Sequence, residues 1–88
     1  MGVTVYLVDE PAVGVAKLYA SQDPTARVFL LQDAVYAALG GEVKGMVYVL
    51  REDLVRRGLE ARVPAGVRVV GYPDLVSLME EEKVVNLL

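Results

Sequence analysis

Two adjacent polar residues, Gln32 and Asp33, interrupt an apolar run at the point where its spacing changes. The residues before them have the length and composition of a buried strand, and Ala34 to Leu39 have helical spacing. An amide and a carboxylate at such a junction could exchange hydrogen bonds with a ligand or a partner protein. Asp33 could also be the N-cap of the following helix, and Gln32 could simply be solvated. We expect the cap and solvation, and keep both residues as candidates for binding.

Other carboxylates follow the first and third predicted strands, at Asp9-Glu10 and Glu52-Asp53. Carboxylates grouped in this way hold a divalent metal in phosphoacceptor receiver domains. A receiver, however, places its acceptor aspartate at the end of its third strand, where this chain has Leu50-Arg51. We therefore expect no metal and no cofactor. Arg56 and Arg57 follow the second acidic pair at a spacing of four, so ion pairs along a helix explain these charges.

The 88 residues include neither cysteine nor histidine. Disulfides, thiolate zinc sites, cysteine nucleophiles and histidine acid/base catalysis are therefore excluded for them. A net charge of −3 argues against broad binding to nucleic acid phosphates, which requires clustered Lys and Arg. We expect no enzymatic activity and no direct contact with nucleic acid.

Strand-like and helical patterns alternate along the chain, which we treat as a single domain, residues 1–88. Strands are predicted at 3–8, 27–31, 45–50 and 67–70, and helices at 11–20, 33–39, 52–57 and from Pro73 onward. Gly58 suits the left-handed position after a helix. Residues 84–88 are either a fifth strand or an apolar extension packed on a neighbour. The alternation predicts an α/β fold, a three-layer α/β/α sandwich with a mainly parallel sheet of four or five strands.

In such folds, ligands and partners meet the loops beyond the carboxyl ends of the strands. Tyr72 is expected there beside the polar pair, while Tyr36 and Tyr48 are aromatic residues in the neighbouring segments. Tyrosine suits an interface because it joins an apolar ring to a polar tip, but either of the latter two could instead complete the core. The candidate partner- or ligand-binding residues are Gln32, Asp33, Tyr36, Tyr48 and Tyr72.

Three glutamates, Glu80, Glu81 and Glu82, stand near the carboxyl end of the last predicted helix. Negative charge at that end opposes the helix dipole. These residues form either an exposed, partly frayed helix end or a surface for a basic partner.

Three blocks of the sequence resemble the DsrH/TusB family, within a match that runs from about Val28 to Met79. They are Leu31 to Leu39, Val47 to Gly58 and Val69 to Val76. The resemblance implies a DsrEFH-like sandwich and a subunit of a sulfur relay, assembled with TusC/DsrF-like and TusD/DsrE-like chains. In the TusB branch the relay feeds 2-thiouridine formation at the tRNA wobble position. In the Dsr branch it serves the oxidation of stored sulfur.

Some members of that family have a cysteine in the first helix, but residues 11–20 have none here. Because a relay passes a persulfide between thiolates, the resemblance implies a structural or docking subunit whose partner supplies the thiol. The alternative is a stand-alone homo-oligomeric module of the same fold that binds a small ligand near Gln32, Asp33 and Tyr72.

The chain is unusually apolar, with 55% hydrophobic residues, which suggests that part of this surface lies in a subunit interface. No apolar run reaches the roughly 18 residues that span a bilayer, and Asp9-Glu10 follows the first run too soon for a signal peptide. We expect a soluble, cytoplasmic, oligomeric protein without membrane contact. Its composition is compatible with a thermophile.

Overall fold

The computed structural model describes residues 4–41, 43 and 45–88, in which five strands alternate with four α-helices. The elements are β1 (Thr4–Val8), α1 (Val13–Gln22), β2 (Arg27–Leu30), α2 (Val35–Leu39), β3 (Met46–Leu50), α3 (Arg51–Arg57), β4 (Arg68–Val70), α4 (Tyr72–Glu81) and β5 (Lys83–Leu87). Short 3-10 turns precede α1 and α2 and follow α3, at Glu10–Ala12, Gln32–Ala34 and Glu60–Arg62. The predicted α/β alternation is confirmed.

The strands form one parallel sheet in the order β4-β3-β2-β1-β5. The first three crossovers each step to the next strand in the same direction, so right-handed connections place α1, α2 and α3 on one face. The return from β4 to β5 runs the opposite way across the sheet and places α4 on the other face. The chain is therefore a three-layer sandwich, as predicted.

The C-terminal segment is a strand. Residues from Lys83 to Leu87 pair in register with Thr4 to Val8, which makes β5 the edge strand beside β1. Periodicity over five residues did not distinguish this from an apolar extension, because the pairing partner lies at the opposite end of the chain.

The larger core lies under α1, α2 and α3. Alternate strand residues such as Val28, Leu30 and Val49 point to this face, where Ala16 of α1 and Leu54 of α3 cover them. All five are at most 1% exposed. The helix residues in this core include the small side chains of Ala16 in α1 and of Ala37 and Ala38 in α2.

The second core lies under α4. Phe29 and Tyr48, on neighbouring strands, stack with their ring centroids 4.8 Å apart, and Leu75 of α4 packs over the same cluster. Among the helices of the described residues, α4 alone packs on this face.

Element boundaries differ from the sequence predictions by one or two residues in most places. Val3, predicted to begin the first strand, lies outside the described residues. The third helix begins at Arg51 and ends, as predicted, before Gly58, whose φ of 66° is left-handed. The last helix begins at Tyr72, one residue before Pro73, because the carboxylate of Asp74 accepts the N–H of Gly71 over 3.2 Å and caps it.

Within the described ranges, no helix combines the length and the apolar character needed to cross a membrane.

Candidate functional site

The carboxyl ends of the five parallel strands lie at one edge of the sheet, where the sequence predicted the candidate residues. The register pairs Val8 with Leu30 and Leu30 with Val49, so the loops after β1, β2 and β3 leave the sheet at the same level. The N–H of Leu31 continues the ladder by donating to the carbonyl of Val8 over 2.8 Å. Polar residues that are distant in sequence are thereby neighbours at this edge.

The loop after β2 is held by a buried carboxylate. Asp53, only 2% exposed, accepts the backbone N–H of Gln32 through Oδ2 over 2.9 Å. Gln32 has a φ of 52°, a left-handed conformation that few non-glycine residues adopt. The side chain of Gln32 is exposed, as expected, but its backbone carries a structural role that the sequence did not indicate.

Arg57 links Asp53 to Asp33, which lies in the loop after β2 beside Gln32. Its guanidinium donates to Asp33 Oδ1 from Nε over 3.2 Å and from Nη2 over 2.9 Å. Its Nη1 donates to the carbonyl of Asp53 over 3.1 Å and lies 3.7 Å from that residue's Oδ1. The predicted pairing of Asp53 with Arg57 along α3 is therefore present.

The prediction that Asp33 caps a helix is wrong. The 3-10 turn starts after Leu31 and α2 starts after Ala34, and neither start receives a side-chain cap. The 3-10 turn moves the start of α2 two residues beyond Asp33, and the Asp33 carboxylate binds Arg57 instead. Its side chain remains 67% exposed, so it is also open to a partner.

An open depression of about 250 Å³ lies between the loop after β1 and the start of α2. Its lining is acidic and aromatic at the rim and aliphatic at the floor, formed by Glu10, Val13, Asp33, Ala34, Tyr36 and Ala37. Carboxylates and a phenol can exchange hydrogen bonds with basic or polar groups, but they supply no thiol or imidazole. The depression therefore suits noncovalent contact.

The five predicted site residues do not form one cluster. Asp33 and Tyr36 line the depression, and Gln32 precedes them in the same loop. Tyr48 is buried in the second core against Phe29. Tyr72 begins α4 beyond β4, two strands from β2 in the sheet. Sequence reasoning missed Glu10 as part of this depression, although the residue follows the first strand closely in the sequence.

Two side chains near α1 have perturbed pKa values. The pKa of Asp23 is lowered, first by the hydroxyl of Thr25, which donates over 2.7 Å, and then by the backbone N–H of Thr25. Burial raises the pKa of the Tyr6 phenol, and the charge of Asp23 and the nearby Tyr19 add to the rise. Neither Tyr6 nor Asp23 lines the depression.

In the part of the chain that the structure describes, no three acidic side chains stand close enough to hold a metal ion.

The fold and this edge define a class of protein, a small parallel α/β sandwich with acidic and aromatic side chains at the strand ends. The crystal structure of the ychN protein from E. coli matches it with a TM-score of 0.76, over 99% of this chain and 100% of that one. Identity between the two is 19%, so the likeness establishes the fold.

A family model described as DsrH like protein matches residues 13–85. The chain belongs to the DsrH family, and the resemblance stated from the sequence is confirmed. It is also 46% identical to the protein TusB of Erwinia tasmaniensis, in an alignment that covers 58% of this chain. That alignment spans 62% of TusB, less than two thirds of its length.

Proposed function

We propose that this chain is a non-catalytic subunit of a sulfur-relay assembly, in which a partner of related fold supplies the cysteine that carries the persulfide. One observation carries the proposal: a member of the DsrH family has no cysteine in its 88 residues. Since persulfide transfer passes sulfur between thiolates, such a chain participates by holding a molecule that has one.

The partners in this proposal are DsrE/TusD-like and DsrF/TusC-like chains in the cytoplasm. The relay serves either 2-thiolation of the tRNA wobble uridine or sulfur oxidation. Similarity to TusB favours the first of these.

We further propose that the partner contacts the depression at the strand ends. Tyr36 is 51% exposed at its rim, and the carboxylates of Glu10 and Asp33 flank it. A half-exposed aromatic beside acceptors suits a protein surface that presents an apolar group next to Lys, Arg or backbone N–H donors.

Affinity purification of the tagged chain from its native cells tests the assembly. We expect a cysteine-bearing α/β relative to co-purify in stoichiometric amount. Recovery of the tagged chain alone, from cells that express such relatives, would count against the proposal.

Labelled sulfane sulfur tests whether the partner carries the persulfide instead of this chain. The isolated chain should acquire no label, whereas the reconstituted assembly should carry it on the partner, in a form released by dithiothreitol. Label bound to the isolated chain would contradict a purely structural role.

The contact surface is tested by substituting Tyr36. We expect Tyr36→Ala to weaken binding of the co-purified partner by about tenfold or more, the effect of removing an interface aromatic. Tyr19→Ala is the matched control, since Tyr19 is also exposed but lies on α1 outside the depression. If the two variants weakened partner binding equally, the depression would not be part of the interface.

The depression also supports the second candidate, a homo-oligomeric module that binds a small ligand. Of the three residues predicted to bind that ligand, Asp33 lines the depression, whereas Gln32 and Tyr72 do not. Chemical-shift changes confined to the depression in a small-molecule screen, together with purification as a homo-oligomer only, would favour this candidate over the relay subunit.

A further inference from the structure

Arg27, the first residue of β2, has an unsatisfied hydrogen-bond donor. Its Nε is buried, and no described residue accepts a hydrogen bond from it or pairs with its charge. A buried charged donor normally has an acceptor, because burial without one costs free energy. Arg57 follows this rule, since its guanidinium donates to Asp33 and to the carbonyl of Asp53. Arg27 is the exception that needs an explanation.

The side chain of Arg27 lies on the second-core face of the sheet, at the edge formed by the amino ends of the strands. In the register it is opposite Val5 on β1 and Met46 on β3. Val5 belongs to the second core and Met46 packs against it. Register partners point to the same face of a sheet, so Arg27 points there too. This position is at the opposite end of the strands from the depression.

Helix α4 crosses that face diagonally. It begins beside the carboxyl end of β4 and ends beside the amino end of β5, on the other side of the sheet. The amino ends of β3 and β4 lie off this path. Met46 is accordingly only partly buried, and Arg68, which begins β4, is exposed. We call Arg27, Met46 and Arg68 the open corner.

Arg68 brings a second guanidinium to the open corner. It is the register partner of Tyr48, a residue of the second core, and so it points to the same face as Arg27. Arg68 is two strands from Arg27 and two residues further along, which places their Cα atoms about 12 Å apart. Two extended arginine side chains can reach a common ligand across that distance. Within the described ranges, the side chain of Arg68 has no acceptor either.

We propose that the open corner binds one oxyanion, a phosphate or carboxylate group, between Arg27 and Arg68. A guanidinium has donors and no acceptor, and its fork matches two oxygens of either group. Rotation of the Arg27 side chain toward the corner gives its Nε an acceptor, while Met46 offers an apolar surface to the rest of the ligand. The net charge of −3 favours a single anionic group over a nucleic acid backbone.

Inorganic phosphate and acetate are the probes, and the arginine Nε–H signals in NMR spectra of the purified chain report binding. We expect at least one probe to shift the Arg27 signal in a saturable way at millimolar concentration, while the Arg57 signal stays in place. Sodium chloride at equal ionic strength is the control for charge screening. A response to phosphate alone identifies a phosphate group as the ligand, and a response to acetate identifies a carboxylate.

The second arginine is tested by substitution. Arg68→Gln should weaken the affinity for the responding probe by about tenfold, the effect of removing a hydrogen bond to a charged group. Arg56→Gln is the matched control, because Arg56 is also exposed but lies on α3, on the opposite face of the sheet. Equal affinities in the two variants would exclude Arg68 from the site and overturn the proposal.

Arg27→Met separates binding from folding, since it keeps an unbranched apolar side chain and removes the guanidinium. We expect the probe to cause no saturable shift of the Arg68 signal in this variant, and the urea midpoint to be unchanged or higher, because no acceptor in the fold is lost. A lower midpoint would show that the guanidinium already has a structural partner. That result would overturn the proposal, as would a response of Arg27 to phosphate and acetate no larger than its response to chloride.

Discussion

At the residue scale, Asp53 organises the candidate site without contacting solvent. Its carboxylate receives the N–H of Gln32, holds the left-handed backbone there and lies beside Arg57, which in turn binds Asp33. A buried carboxylate is stabilised only while these donors surround it. The depression therefore depends on a residue that does not line it.

We expect Asp53→Ala to lower the free energy of unfolding by about 2–3 kcal/mol, because it leaves the N–H of Gln32 without an acceptor and removes the carboxylate that lies 3.7 Å from Arg57 Nη1. Asp53→Asn retains an acceptor and should cost about 1 kcal/mol. Urea denaturation of both variants measures the difference.

Asp33→Ala serves as the control for this pair. It removes an exposed partner of the same arginine and should cost less than about 1 kcal/mol. If it proved as destabilising as Asp53→Ala, Arg57 rather than Asp53 would be the organising group.

Thr25 should control the titration of Asp23. Its hydroxyl and N–H stabilise the charged carboxylate, so the pKa of Asp23 is below that of the unfolded chain. The resulting stabilisation is present above the unfolded pKa and is lost as the pH falls through the folded pKa. In an NMR titration, Thr25→Ala should raise this pKa, whereas Thr25→Ser, which keeps the hydroxyl, should not. An unchanged pKa in the alanine variant would show that the hydroxyl has no part in the shift.

At the element scale, replacing a glycine by alanine should change stability in opposite directions at α1 and α3. Gly58 ends α3 with a φ of 66°, whereas Gly14 lies in the first turn of α1. At both positions an added Cβ would meet nothing within 4 Å, so backbone conformation alone separates them.

We expect Gly58→Ala to destabilise the protein by about 1–2 kcal/mol, the cost of a left-handed conformation for a residue with a side chain. Gly14→Ala should stabilise it by about 0.5–1 kcal/mol, because alanine has the higher helix propensity. Thermal unfolding followed by circular dichroism reports both signs. A stabilising Gly58→Ala would mean that α3 does not end in a left-handed residue.

Helix starts were harder to predict than helix ends. The Gly58 terminus follows from one residue type, whereas Asp33 has the composition of a cap but lies inside a 3-10 turn. In the 3-10 turn at 32–34, the N–H of Gln32 donates to a carboxylate 21 positions further along the chain, a contact that no local pattern contains.

At the scale of the whole molecule, β5 completes the sheet. It pairs with β1 along all five of its residues, and β1 contains Val5 and Val8, neither of which is exposed. Without β5, β1, which contributes residues to both cores, would become an edge strand.

A variant lacking residues 83–88 should therefore lose cooperative unfolding and near-ultraviolet circular dichroism, because β1 loses its outer partner and α4 its continuation into the sheet. Removal of Leu88 alone, a residue that is 65% exposed, is the control and should have little effect. A native-like spectrum and an unchanged urea midpoint in the shorter variant would show that the first four strands suffice.

Residue types and the order of patterns along the chain were enough to predict the alternation of strands and helices, the parallel sheet and the family, and they show the lack of a thiol. None of these required knowledge of which residues meet in space. The structure was needed to show that residues 83–87 form a strand, that Tyr48 is buried, and that Arg57, besides its predicted pairing with Asp53, binds Asp33. Those outcomes depend on which strands become neighbours. The Arg57 and Asp33 side chains are 24 positions apart in the chain and meet only once the sheet has formed.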